Sequence, residues 1–341
     1  MAEKNLDFDT VIDRTHTNSL KYDFAVQRGK PKDVLPLWVA DMDFQVSSYI
    51  QEALSGSVAH GIFGYSEAEG SYFEAVAGWM SRHYGWNVEE TWLVKTPGIV
   101  FALAQAVRAF TDPGDAVLLQ QPVYYPFSQV IRDNGRKIVD NTLVQGEDGR
   151  YRIDFTDFEE KIRSAHVKLF FLCNPHNPVG RVWTKEELLR LGDICERYGV
   201  IVVSDEIHAD FVFEGSHQVL AGLKESYRKF VVTCTAPSKT FNLAGLQVSN
   251  IFIPDDALRR KFEQAVGASG YSQLNTMGLV ACEAAYRHGE EWYEAVKAYI
   301  RENLAYAQHF LEEQIPQVKA VEPEGRVQLS HKELLGTWAQ N

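Results

Sequence analysis

The segment Thr235-Ala236-Pro237-Ser238-Lys239-Thr240-Phe241-Asn242 places a single lysine just after an apolar run, Phe230-Val231-Val232-Thr233-Cys234, that reads as a buried strand. A polar turn containing proline therefore delivers the amine at the strand's C-terminal end, the edge where open α/β sheets gather their ligands. Such an amine is either a solvated surface charge or a nucleophile held ready to form a Schiff base with a carbonyl cofactor. Other apolar runs end in the same manner. Val167 to Cys173 stops at Asn174-Pro175-His176-Asn177-Pro178-Val179-Gly180, and Val200 to Ser204 stops at Asp205-Glu206-Ile207-His208. Asp115 to Leu119 leads into Gln121-Pro122-Val123-Tyr124-Tyr125-Pro126.

Singly, Asn177 is a turn amide, Asp205 a helix-capping acid and Tyr124 a turn aromatic. Together on one edge of one sheet, an acid, an amine and an aromatic suit a heteroaromatic aldehyde phosphate. The acid keeps a ring nitrogen protonated, the lysine bonds the carbonyl, and the aromatic stacks on the ring. A phosphate has a place at Thr96-Pro97-Gly98-Ile99-Val100, where a short strand (Trp92 to Val94) gives way to a helix from Val100 to Phe110. Free backbone N–H groups at a helix start favour an anion, and glycine lets it approach the backbone. A turn opening a helix is common, so by itself this junction is equally an ordinary helix start.

The elements that position these residues alternate regularly. Helices are expected over 48–60, 70–85, 127–134, 155–164 and 185–198, with strands at 136–141 and 249–253 among them. Thr184 and Glu187 form a capping box before the 185–198 helix, and Gly199 ends it. A long amphipathic helix follows from Glu290 to Gln314, stopped by Pro316, and Val318 to Val321 reads as the start of another strand. Several of the strands lack in/out alternation, which predicts an α/β fold with a mostly parallel central sheet covered by helices on both faces. Residues 1 to 35 are polar and irregular, as in an arm lying on another surface. Pro36 to Phe44 is an apolar stretch ending in two acids, Asp41 and Asp43, read singly as solvated aspartates at a strand end. Glycines around Gly61-Ile62-Phe63-Gly64-Tyr65-Ser66 suggest a loop presenting Tyr65 outward.

Composition narrows the function classes. A formal net charge of -12 argues against nucleic acid or an anionic membrane surface as partner. No run approaches the roughly 18 apolar residues that span a bilayer, and the N-terminus shows no signal-peptide core. Four cysteines (Cys173, Cys195, Cys234, Cys282) lie far apart, without the spacing of a zinc site or a disulfide framework. A soluble, cytoplasmic protein that binds no metal is expected. No GxGxxG follows a strand, which leaves a dinucleotide-dependent dehydrogenase without support.

The segments PLWVADMDF, GIFGYS, TPGIV, NPHNPVGRVWT, SDEIHADF and APSKTFNLAGLQ, in this order over residues 36 to 325, resemble the fold-type I pyridoxal-phosphate enzymes. The likeness is to the MalY/PatB branch of the class I/II aminotransferase-like proteins, whose members are cystathionine β-lyases and related cysteine-S-conjugate β-lyases. The resemblance implies pyridoxal 5'-phosphate as cofactor, with Lys239 as Schiff-base lysine and proton shuttle and Asp205 as partner of the ring nitrogen. It places Asn177 and His208 near the cofactor's 3-oxygen and Tyr124 on the ring. Gly98 and Ile99 offer backbone N–H groups to the phosphate, helped by Ser238. Tyr65 resembles a tyrosine that reaches a neighbouring subunit's phosphate, which implies a homodimer. Ala40 and Asp41 resemble the arm lining the substrate pocket.

Departures from the general aminotransferase pattern carry information too. Gln247 stands where a phosphate-binding arginine is usual, His208 replaces a tyrosine and Ala236 a serine. These exchanges are typical of the MalY/PatB branch and imply a β-lyase acting on cystathionine or other S-substituted L-cysteines, giving thiol, pyruvate and ammonia. A class I/II aminotransferase is the alternative within the same chemistry. After Gly325 the resemblance stops; Arg326 lies too early to stand for the family's substrate-carboxylate arginine, and nothing in Val327 to Asn341 fits its motif. A frameshifted or truncated frame is the expected explanation, with turnover harmed more than cofactor binding, down to a non-catalytic pyridoxal-phosphate-binding remnant. The implied organisation is an N-terminal arm and small-domain segment (1–47), a large cofactor-binding domain (48–289), and a linking helix with an incomplete small α+β domain (290–341).

Overall fold

A computed structural model describes residues 3–4, 6–36, 39–317 and 323–325. Its strands are β1 (Leu93–Thr96), β2 (Ala116–Leu119), β3 (Lys137–Asp140), β4 (Val144–Gln145), β5 (Tyr151–Arg152), β6 (Leu169–Cys173), β7 (Ile201–Asp205), β8 (Val231–Thr235) and β9 (Ser249–Phe252). The helices are α1 (Ser48–His60), α2 (Gly70–Tyr84), α3 (Ile99–Phe110), α4 (Pro126–Asp133), α5 (Phe155–Ala165) and α6 (Lys185–Tyr198). They continue with α7 (Leu220–Leu223), α8 (Pro237–Thr240), α9 (Asp256–Ala268), α10 (Thr276–His288) and α11 (Glu290–Gln314).

Seven strands form one sheet in the order β1-β9-β8-β7-β6-β2-β3, with β4 and β5 pairing separately. The run from β8 to β3 is parallel throughout, and β9 alone runs against its neighbours β1 and β8. Alternate residues of β6 divide between two cores: Phe170 and Leu172 join one, Leu169, Phe171 and Cys173 the other. Helices α3, α4 and α9 cover the second face through residues such as Leu103, Phe127 and Phe262. The first face receives α2, α5, α6, α10 and the start of α11, through residues such as Trp79, Phe158, Leu188, Ala281 and Trp292. Burial on both sides is the reason these strands read as unbroken apolar runs.

The register aligns the strand ends. Cys173 pairs with Asp205, and Asp205 with Cys234. The ladder continues one step further, because Asn174 N–H donates to the Asp205 carbonyl and Glu206 N–H to the Cys234 carbonyl, both at 2.9 Å. The chain leaves β2 outward to β3 and returns on the other side of β2 at β6, so a crevice opens where the loops after β2 and β6 diverge.

Local punctuation follows the sequence closely. The Thr184–Glu187 capping box forms, Gly199 closes α6, and α11 spans the expected residues. Trp92 belongs to a short 3-10 turn (Glu90–Trp92) rather than to a strand, and α3 begins at Ile99 with Gly98 as its cap. The N-terminal segment lies on its own chain: Glu3 accepts hydrogen bonds from the Ser47 hydroxyl and, at 2.8 Å, from Ser48 N–H. Phe8 meets Phe44 and Trp292 edge-on. Asp41 and Asp43 are not solvated aspartates; Arg14 and Lys21 pair with both. The strand expected at Val318 to Val321, the position of Arg326 and the stretch to Asn341 lie outside the described residues.

Gly192 of α6 packs tightly against Tyr227. A Cβ there would lie 2.4 Å from the Tyr227 ring, whose hydroxyl is fixed by the Leu189 carbonyl at 2.8 Å and Asp193 at 2.6 Å. Gly192→Ala is therefore expected to cost about 1–3 kcal/mol by overpacking. The check is urea unfolding, with a lower midpoint and an unchanged denaturant slope.

Candidate active site

Lys239 sits in α8, a single turn whose first residue is Pro237, pre-set for helical φ. Its half-buried Nζ donates to the Ala40 carbonyl at 3.0 Å. Burial pushes the amine's pKa down, against the opposing pull of Asp41 and Asp205. Asp205, the last residue of β7, is 6% exposed. Burial raises its carboxyl to about 7; the Ile207 N–H donated to it and the Lys239 charge oppose that rise, and neighbouring Glu206 adds to it. Among the described residues no cation lies within ion-pairing distance of Asp205.

The crevice brings Tyr124 and Asn177 together, with Tyr124 N–H donating to the Asn177 carbonyl at 3.0 Å. The Tyr124 hydroxyl is pushed up to about 12, first by burial and then by Tyr125 and Asp205, which places the ring in the field of the same acid. His208 is buried one turn past Asp205. Gly98 adopts φ 156° and ψ 160°, a region almost confined to glycine, and a Cβ there would meet nothing within 4 Å. Space is thus left beside Gly98 at the start of α3, with Ile99 buried next in sequence and Ser238 half-buried beside Lys239.

Ala40 and Asp41 belong to a strap that crosses the lysine turn. Asn242 accepts from Met42 N–H at 3.0 Å and donates back to the Met42 carbonyl at 2.9 Å. Tyr65 does not join the cluster within this chain; it is 97% exposed, next to exposed Ile62 and Phe63.

Two buried acids escaped the reading of the sequence. Asp210 accepts from Trp79 Nε1 at 2.9 Å and from the hydroxyls of Tyr84 and Thr240, and its carbonyl accepts from the Tyr293 hydroxyl at 2.6 Å. It therefore ties α2, α11 and the residue after Lys239 to the loop following β7. Glu206 accepts from the Ser204 hydroxyl at 2.8 Å and contacts His217 Nε2 at 2.7 Å. The donors to Asp210 come from parts of the chain at least 30 residues away, so no local spacing announces it. Among the described residues no group of three or more His, Cys, Asp or Glu side chains could hold a metal ion.

An amine and a buried, uncompensated acid at the C-terminal edge of a mostly parallel sheet match a broad class of enzymes, and the chain's relatives define it. The chain belongs to the family described as aminotransferase class I and II, whose model matches residues 32–331. It is 45% identical over 320 residues to cystathionine beta-lyase PatB of Bacillus subtilis (strain 168), covering 94% of this chain and 82% of that one. It is 33% identical to protein MalY of Escherichia coli (strain K12), covering 88% and 77% of the two chains. Among solved structures, cystalysin from Treponema denticola, which contains pyridoxal 5'-phosphate, superposes with a TM-score of 0.90 at 36% identity over 94% of this chain and 82% of that one. The PLP-bound C-S lyase from Staphylococcus hominis gives 0.88 at 34% identity, covering 94% and 80%.

The Asp205 carboxyl makes a pH prediction for the cofactor-free chain. Its folded pKa of about 7 lies above the ordinary carboxylate value, so the folded state holds a proton that the unfolded state has released. This contribution to stability is complete below the ordinary carboxylate pKa of about 3.9, and it is lost as pH rises through about 7. Unfolding midpoints measured across that window should fall with rising pH in the parent, and Asp205→Asn should flatten the slope.

Proposed function

We propose that the protein is a pyridoxal 5'-phosphate-dependent carbon–sulfur β-lyase that cleaves cystathionine or another S-substituted L-cysteine to thiol, pyruvate and ammonia. The observation that carries this reading is the pairing of a half-buried amine of lowered pKa, Lys239, with a buried acid raised to about 7 and left without a cation, Asp205. A cofactor with a protonated ring nitrogen would supply the countercharge with which Asp205 could ionise and keep that proton in place. The open space before α3 suits the phosphate, with N–H groups of Gly98 and Ile99 and the Ser238 hydroxyl as donors. Tyr124 would lie on the ring, with Asn177 and His208 at its 3-oxygen. The residues present therefore fit the cofactor.

When bound, that cofactor supplies an electron sink for negative charge developing at the substrate Cα. The chain's own part is proton handling and orientation. Burial keeps the Lys239 amine closer to its neutral, basic form, as removal of the Cα proton requires. The Ala40 carbonyl holds the amine toward the strap, where the substrate would lie against Ala40 and Asp41. Phosphate charge is met without an arginine at position 247: Gln247 stands there, turned into a left-handed conformation (φ 52°) after a short 3-10 turn.

The same reading assigns 48–289 to a large cofactor-binding domain, flanked by 1–47 and by 290–341 as arm and small-domain parts. It takes the protein as a homodimer in which Tyr65 reaches the neighbouring phosphate. The exposed Val58, Ile62 and Phe63 around that tyrosine support it, since contiguous apolar side chains favour a covered surface. A cytoplasmic location accords with four buried free cysteines and a net charge of -12. No described helix is long and apolar enough to cross a membrane.

Purified protein supplied with the cofactor and cystathionine should release pyruvate and thiol without a keto-acid acceptor. Lys239→Ala should lose the near-visible absorption of bound cofactor and about 10²–10⁴-fold in kcat. Amino transfer that depends on an added keto acid would instead identify a transaminase.

A further inference from the structure

The strap at 39–44 forms no regular element, yet it meets the reacting lysine, so side chains alone must hold it. Its residues alternate as in an extended segment: Met42 is buried in the core, while Asp41 and Asp43 turn the other way. There they meet two cations from the N-terminal segment. Arg14 donates to Asp41 and to Asp43, both at 2.7 Å, and to the Met42 carbonyl at 3.2 Å. Lys21 donates to Asp43 at 2.9 Å and to the Asp41 carbonyl at 3.1 Å, and its side chain is only 6% exposed. On the opposite side, Asn242 of the lysine turn grips Met42 through both its N–H and its carbonyl.

The fork of an arginine spanning two carboxylates fixes direction as well as distance. Burial works against ionisation of Asp43, but Lys21 and Arg14 outweigh it and hold the carboxyl below its usual range. Tyr22, the residue after Lys21, lies under both cations, 5.5 Å from Arg14 and 5.8 Å from Lys21. The strap is thus pinned between the N-terminal segment and the lysine turn, with the Ala40 carbonyl aimed at Lys239 Nζ.

We propose that Arg14 and Lys21 are positioning residues that, by clamping Asp41 and Asp43, set the Ala40 carbonyl and through it the orientation and accessibility of the Lys239 amine. The inference rests on the reading of Lys239 as the reacting amine. It gives the N-terminal segment a role in the site that its irregular sequence conceals.

The test labels the cofactor-free full chain with trinitrobenzenesulfonate and follows Lys239 by peptide mass spectrometry, so it requires neither cofactor nor turnover. Arg14→Gln is expected to speed Lys239 labelling about tenfold, the scale of losing one charged hydrogen-bond set, with the urea midpoint little changed. Arg14→Lys, which keeps the charge but loses the fork, should restore only part of the protection. Arg14→Gln added to Asp43→Asn should change labelling less than it does alone, as coupled residues require. Lys21→Met should act as Arg14→Gln does; if its burial prevents folding, Arg14→Gln decides alone. Unchanged Lys239 labelling in Arg14→Gln, or labelling that rises only as far as global unfolding does, overturns the proposal. A parent that binds the cofactor but cleaves no cystathionine overturns the lyase reading and leaves the labelling result intact.

Discussion

Asp205 closes a central strand with a carboxyl that the sheet buries and that no cation neutralises among the described residues. Such a group is expensive to ionise in a low-dielectric setting, and its pKa rises accordingly. The strand register does not permit it to move outward, because Asp205 pairs with Cys173 on one side and Cys234 on the other. The fold therefore holds an uncompensated acid at the same sheet edge as the Lys239 turn, the Tyr124 loop and the start of α3. A ligand bearing a cationic ring nitrogen and a phosphate answers all of these features at once.

The loops that complete the edge are irregular, and irregular backbone near a buried site must satisfy its polar groups through side chains. Two side-chain hubs do this. Asp210 gathers donors from α2, from Thr240 and, through its carbonyl, from α11, so the turn carrying Lys239 is locked to the loop after β7. Asn242 and the Arg14–Lys21 pair do the equivalent for the strap. In both cases an acid is held by several donors rather than by one salt bridge. Such a network specifies geometry more strongly than it adds stability.

Much of the framework was legible along the chain. Apolar runs, caps and breakers located the strands and helices, because these signals are local and each strand buried on both faces carries its own signature. The candidate chemistry was legible as well: Lys239, Asp205, Asn177 and Tyr124 each follow a strand, and strands packed in parallel bring such positions to one edge. The N-terminal segment gave little signal, since Arg14 and Lys21 lie in polar, aperiodic sequence whose partners stand twenty or more residues away. Asp210 gave no signal for the same reason.

The sequence by itself thus determined the alternation of elements, the residues at the strand ends and the kind of chemistry they could support, because periodicity and turn residues act over a few positions. Only the tertiary structure decided which acid is buried without a cation, which is gathered into a hydrogen-bonded hub and which is clamped by Arg14. Burial and donor count depend on contacts between segments remote in the chain. A carboxylate's environment, and with it its pKa and its role, exists only once those segments have met.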